Sequence, residues 1–286
     1  MDYRTVETDR ALLRRHLLSR DPDSHKGDFG HALLVCGCER MPGAAVLATG
    51  AALESGCGLV TLRSTSRACT AAVSSFPSAM LSEDVADVIS DIPRDMSRYN
   101  AIGVGPGLGK DPRTVGALRL LMEEAGERSM VLDADALNII SENPELRGLI
   151  PPRSVLTPHM GELKRLLGTQ EPAGSDIVAL CEKTRSAVVV KGYHTRIYVP
   201  DGTVYVNTTG NPGMAKGGSG DVLTGLVTGL IARGYQWYEA AVLGVWLHGY
   251  AGDVLTAERT AECFSSRDLL DVMYRGFKDL YQPESD

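Results

Sequence analysis

The segment Asn211-Pro-Gly-Met-Ala-Lys-Gly-Gly-Ser-Gly-Asp221 holds the residues best placed to do chemistry. Gly217, Gly218, Ser219 and Gly220 are consecutive small residues that let backbone N–H groups converge without side-chain obstruction. A helix start directly behind them adds partial positive charge, so the turn is built to hold an anion such as a phosphate. Asp221 closes the segment, and a carboxylate beside a phosphate needs a reason. One reason is catalysis: it takes the proton of a substrate hydroxyl as a phosphoryl group arrives. The other is a helix N-cap, the ordinary occupation of Asp at such a place. On position alone the N-cap is favoured. Lys216 beside the turn is evenly divided between pairing with phosphate and merely solvating the loop.

Two further polar clusters stand at expected strand ends. Thr157-Pro-His-Met-Gly-Glu162 sets an imidazole and a carboxylate three residues apart, and Asp133-Ala-Asp135 with Asn138 forms an acidic group. Either can hold Mg²⁺ through water, as that ion prefers. A second glycine turn, Gly103-Val-Gly-Pro-Gly-Leu-Gly109, suggests close backbone approach to a ligand. It fits GxGxxG in no register, and no GxxxxGK[ST] occurs, so Rossmann and Walker-type readings are disfavoured.

Positioning these groups requires strands that end beside them. Short apolar runs alternate with helix-length stretches, the pattern of a largely parallel sheet covered by helices. Strands are expected at 31–36, 59–62, 101–104, 130–133, 155–156 and 187–190, and a hairpin at 195–199 and 203–206 around Asp201-Gly202. Helices are expected over 44–55, 112–125, 161–167, 239–255 and 267–280. Val222, Leu223, Leu226, Val227, Leu230 and Ile231 recur on one helical face, with Gly234 placed to stop that helix. Gly105, Asp133, Asp135, His159 and Lys191-Gly192 then fall at strand C-terminal ends, where open α/β sheets bind ligands.

Composition narrows the partners. The 286 residues carry a net charge of -7, a poor match for a nucleic-acid backbone. No apolar run approaches the ~18 residues of a membrane span. The first twenty residues, studded with Asp, Glu and Arg, contain no signal-peptide apolar core. The expectation is therefore a cytoplasmic protein forming one domain over 1–286, with no nucleic-acid or membrane partner. Six scattered cysteines without a CxxC pair read as free thiols.

Together the motifs resemble one family. His25-Lys-Gly-Asp-Phe-Gly30, Met41-Pro-Gly-Ala-Ala45, Gly105-Pro-Gly-Leu-Gly109, Leu132-Asp-Ala-Asp-Ala-Leu137, Leu156-Thr-Pro-His-Met-Gly-Glu162, Val190-Lys-Gly192 and the 210–221 segment are similar, in order, to the signature blocks of ADP/ATP-dependent NAD(P)H-hydrate dehydratases. These are ribokinase-like, carbohydrate-kinase-type proteins. The resemblance implies an α/β three-layer sandwich around a largely parallel sheet. Residues 37–42 leave too little chain for the β-lid that sugar kinases of the superfamily insert. The absence of a lid suits a dinucleotide substrate.

The resemblance, not the spacing, favours Asp221 as the catalytic base. It implies a hydro-lyase that restores NADH or NADPH from the S-epimer of its hydrate. ADP would be converted to AMP, or ATP to ADP, with release of phosphate. Ala44, Gly107, His159 and Asp221 would bind the hydrate. Lys191, Gly192, Tyr193, His194 and Thr195, with Gly217, Gly218, Ser219 and Gly220, would bind the nucleotide. Glu162 would contribute to Mg²⁺, directly or through water. A homotetramer is expected, with the epimerase of the pathway on another polypeptide, because only some 25 residues precede the first block. The alternative is a small-molecule kinase of the same fold, which would use the same Asp221 and anion turn. His248 matches a family-like helix pattern without a role.

Overall fold

The computed structural model describes residues 4–282. The chain opens with strand β1 (Arg4–Thr8) and a short helix α1 (Arg10–Arg14), then runs through β2 (His31–Val35), α2 (Pro42–Glu54), β3 (Leu59–Thr65), α3 (Ser66–Ser75) and β4 (Met80–Asp84). Next come β5 (Ala101–Val104), α4 (Pro112–Glu124), β6 (Ser129–Leu132), α5 (Ala134–Glu142), β7 (Val155–Leu156), α6 (Met160–Leu167), α7 (Gly174–Thr184) and β8 (Ala187–Val190). The hairpin β9 (Arg196–Tyr198) and β10 (Thr203–Asn207) leads into α8 (Ser219–Arg233), α9 (Trp237–Glu258) and α10 (Ser266–Tyr281).

The strands form one sheet in the order β1-β10-β9-β8-β7-β6-β5-β2-β3-β4. Among the described residues only β9 runs against the rest. β2 is buried at every position, as a strand covered on both faces must be. Two apolar clusters account for that burial. One packs α2, α3, α8, α9 and α10 on one face, and the other packs α4, α5, α6 and α7 on the opposite face. The expected three-layer α/β sandwich is what the chain forms. Residues 36–41 alone join β2 to α2, so no lid strands are inserted there.

Helix α8 departs from its expected amphipathic form, since every residue from Val222 to Ala232 is buried. The reason is its position between the sheet and helices α2 and α9. Gly234, in a left-handed conformation, ends it as expected. Trp246 is core, 2% exposed. Among the described residues all six cysteines are free, and only Cys263 is exposed.

Candidate active site

Every strand from β5 to β8 delivers a polar or glycine-rich segment at its C-terminal end. The turn after β5 is pinned by Asp135, whose Oδ2 accepts the Gly109 N–H at 2.8 Å. Gly107 in that turn has φ +60°, and a Cβ there would come within 2.8 Å of the Ala44 Cβ. The resemblance named both positions as hydrate-binding. They meet at the first turn of α2, where two small residues keep the space open.

After β7, His159 caps α6. Its Nδ1 accepts the Gly161 N–H at 3.0 Å, and Glu162 Oε2 accepts the His159 N–H at 2.9 Å. This reciprocal box satisfies the helix start. It also occupies the Glu162 carboxylate, whose Oε1 is 3.3 Å from His159 Nε2. After β6, Asp133 is paired with Lys191 at 2.6 Å, and Asp135 is held by the Gly109 amide. Among the described residues no group of three or more His, Cys, Asp or Glu is set to hold a metal ion. The side chains present therefore form no cage of three or more ligands, whereas a Mg²⁺ that keeps its waters needs only one or two carboxylates beside the nucleotide phosphates.

The 210–221 segment is tied down along its length. Asp253 on α9 accepts the Gly210 N–H at 2.8 Å and the Asn211 side-chain amide at 2.9 Å. Ser266 donates to the Gly217 carbonyl at 2.8 Å. Lys216 donates to the carbonyls of Ala261, Glu262 and Phe264 at 2.6–3.1 Å. This ammonium therefore does more than solvate the loop: it clamps the α9–α10 connection from the wall of the same cleft that His159 and Lys191 line. Lys216→Met is expected to destabilise the free protein by about 1.5–3 kcal/mol, the range for hydrogen bonds to a charged group. Thermal melting in the absence of nucleotide checks this. Unchanged stability would mean that the clamp contributes nothing.

Gly218, at φ +92°, is the N-cap of α8. Asp221 is thus three residues inside the helix, not its cap. The N–H groups of Gly220 and Asp221 have no partner among the described residues, as an anion-binding helix start requires. The half-buried Asp221 carboxylate has no hydrogen bond or ion pair there either. Its pKa is pushed up to about 6, chiefly by burial, then by the charge of Asp133, against the opposing pull of Lys191. A carboxyl poised near neutrality is the state expected of a general base.

A cleft of about 660 Å³ opens beside this helix start. Among the residues named from sequence, its wall takes in His159, Lys191, Gly192, Tyr193, Thr195, Lys216, Ser219 and Gly220. His194, Gly217, Gly218, Ala44, Gly107 and Asp221 lie off that wall. His194 instead packs its ring on Tyr193, with centroids 4.2 Å apart. The wall also includes Asn207, Thr209, Leu223, Val245 and His248, which carried no sequence signal for the site except the unexplained His248. His248 Nε2 is 3.2 Å from Ser219 Oγ. Burial drives its pKa down to about 4, so a neutral imidazole faces the cleft. A smaller cleft of about 450 Å³ near Tyr99 and Trp237 lies at the opposite end of the strands, away from all of these groups.

The sequence profile of a family described as NAD(P)H-hydrate dehydratase matches residues 32–275. The ADP-dependent (S)-NAD(P)H-hydrate dehydratase of Neisseria meningitidis is 42% identical over 245 residues, 83% of this chain and 81% of that protein. The bifunctional NAD(P)H-hydrate repair enzyme Nnr of Moorella thermoacetica is 37% identical over 92% of this chain but 52% of its own length. The chain thus spans about half the length of the bifunctional relatives it matches. A crystal structure of the ADP/ATP-dependent NAD(P)H-hydrate dehydratase from Bacillus subtilis, grown with ATP/Mg²⁺, superposes with a TM-score of 0.82 at 30% identity. That match covers 95% of this chain and 97% of the other.

Proposed function

The chain belongs to the NAD(P)H-hydrate dehydratase family, and from that premise we propose that it restores NADH and NADPH from the S-epimers of their hydrates at the expense of ADP or ATP. The observation that carries the reading is Asp221, an unpaired, half-buried carboxylate with its pKa near 6, behind the unpaired amides of Gly220 and Asp221.

Hydroxide is a poor leaving group, and phosphate is a good one. Asp221 takes the proton of the hydrate's 6-hydroxyl while that oxygen bonds to the terminal phosphorus of the nucleotide. The bond from that phosphorus to the rest of the nucleotide breaks. The α8 amides hold the charge on the phosphoryl oxygens, and fixed dipoles act strongly where water is excluded. The ring nitrogen's lone pair then expels phosphate from C6, and loss of a proton from the neighbouring carbon restores the dihydronicotinamide. Lys191, Gly192, Tyr193, His194 and Thr195, with residues 217–220, serve the nucleotide. Ala44, Gly107 and His159 serve the hydrate.

Mg²⁺ enters the proposal as a companion of the nucleotide phosphates, consistent with its reluctance to shed water. The reading includes one dehydratase domain over 1–286, a homotetramer and a cytoplasmic location. No helix of the described residues is long and apolar enough to cross a membrane.

The test is absorbance at 340 nm with the S-hydrate of NADH and either nucleotide. Recovery of the dihydronicotinamide band only with nucleotide is expected. A flat trace from folded, nucleotide-binding protein would overturn the reading. A stable phosphorylated product would point to the kinase alternative.

A further inference from the structure

Asp133 is the most deeply buried acidic side chain at the site, 1% exposed, and no step above uses it. It ends β6 at a turn where Ala134 is held at φ +47°, left-handed backbone that a residue with a Cβ adopts only when its surroundings impose it. Both carboxylate oxygens are committed. Oδ1 accepts from Lys191 Nζ at 2.6 Å, and Oδ2 accepts from Thr224 Oγ1 at 2.9 Å. Lys191 stands in the cleft wall at the end of β8. Thr224 lies three residues beyond Asp221, and thus on the same side of α8. A Cβ on Gly220 would come within 3.3 Å of both Asp133 Oδ2 and Lys191 Nζ, so the ion pair lies directly against the first turn of that helix.

One carboxylate therefore joins the cation of the cleft to the helix that carries the base. The other acidic groups near Lys191 do not share this task. Glu162 is 4.0 Å away and holds its own helix cap, and Asp221 makes no ion pair with it. A lysine ammonium has three donors on a flexible stem, and its freedom is costly to remove when a ligand arrives. A buried anchor removes it beforehand.

We propose that Asp133 is a positioning residue: it fixes the Lys191 ammonium between the cleft and Asp221, leaving two N–H groups for the terminal phosphate of a nucleotide, and through Thr224 keeps that cation in register with the base. The inference rests on the nucleotide-driven reading above. Asp133→Asn keeps an acceptor for Thr224 but loses the charge that holds Lys191.

Calorimetric titration with ADP and with AMP, which lacks the terminal phosphate, tests the first link. Asp133→Asn is expected to weaken ADP about tenfold, as loss of a charge-assisted bond does, and to leave AMP within about twofold. Once Lys191→Met is present, adding Asp133→Asn should have no further effect on ADP, because the two act through one contact. Thr224→Val tests the second link, with kcat falling severalfold at an unchanged KM for ADP. Equal weakening of ADP and AMP, unchanged ADP binding, or additive losses in the double variant would each overturn the proposal. Should Asp133→Asn fail to fold, Lys191→Met must still show the ADP-specific loss and Thr224→Val the kcat loss, and the absence of either overturns it. Wild-type protein that binds neither nucleotide would instead remove the underlying reading, so the two failures are distinguishable.

Discussion

Asp221→Asn is expected to lower kcat by roughly 10²–10⁴-fold, the usual contribution of a positioned general base, and at the same time to stabilise the folded protein at neutral pH. The second half follows from linkage. The folded-state pKa is near 6 against an ordinary 3.8, so the native state holds a proton that the unfolded chain has lost. Stability therefore falls as pH rises through that window, and above it the whole penalty applies. At ~1.4 kcal/mol per pKa unit the penalty is about 3 kcal/mol. The Asn variant escapes it, so its advantage should be complete at pH 7–8 and vanish below about pH 4. Urea denaturation of both proteins across pH 3–8, beside the 340 nm assay, measures both halves. A variant less stable at pH 8 would mean that Asp221 makes favourable contacts in the native state that this geometry lacks.

Gly225→Ala should destabilise the protein by about 1–3 kcal/mol, the range for overpacking, although alanine is the better helix former by about 1 kcal/mol. A Cβ on Gly225 would lie 2.0 Å from the Ala48 carbonyl oxygen and 2.8 Å from its Cα. Its neighbour on the same face, Gly229, is as close to Ser55 Oγ, at 2.1 Å. The α2 surface that allows this approach is small, with Ala44, Ala45, Ala48, Ala51 and Ala52 all buried. The first turn of α2 carries Ala44, and the first turn of α8 carries Asp221. A wedge between the helices must therefore shift the hydrate-binding residue relative to the base, and KM for the hydrate should rise with the loss of stability. The control is Gly116→Ala on the exposed face of α4, where a Cβ meets nothing within 4 Å. There the same substitution should stabilise by up to about 1 kcal/mol. Equal effects at the two positions, measured by chemical denaturation, would remove the α2–α8 contact as the cause.

Elements with a strong local signal were legible from the sequence. β2, β5, β8 and α4 fall within a residue or two of their expected bounds, because an all-apolar run or a capped amphipathic stretch has little else to become. The elements without such a signal are those whose structure is lent by neighbours. β1, Arg-Thr-Val-Glu-Thr, is polar along most of its length and becomes a strand by pairing in parallel with β10, some 200 residues away. α3 is built largely from Ser, Thr and Ala, and β4 is a sheet edge that pairs only with β3 among the described residues. α8 showed one apolar face in its sequence and is buried all round, because glycine and threonine read as neutral until another helix covers them.

For the site, the sequence by itself determined which residue types stand at which strand ends: the glycine turn, Asp221, the His159–Glu162 box, the Asp133–Asp135 pair and Lys191. Local spacing suffices there, since a strand-to-helix turn and its cap are set within a few residues. Partnership was decided only by the tertiary structure. Lys191 finds Asp133 across 58 positions, and Lys216, in the wall of the same cleft, holds carbonyls 45 to 48 positions away. Glu162 serves its own helix. Asp221 is left unpaired and half-buried with its pKa near 6. Whether a charge binds ligand, holds the fold or stays poised for a proton depends on burial and on the nearest opposite charge. Both are set when distant strand ends are brought together at one edge of the sheet.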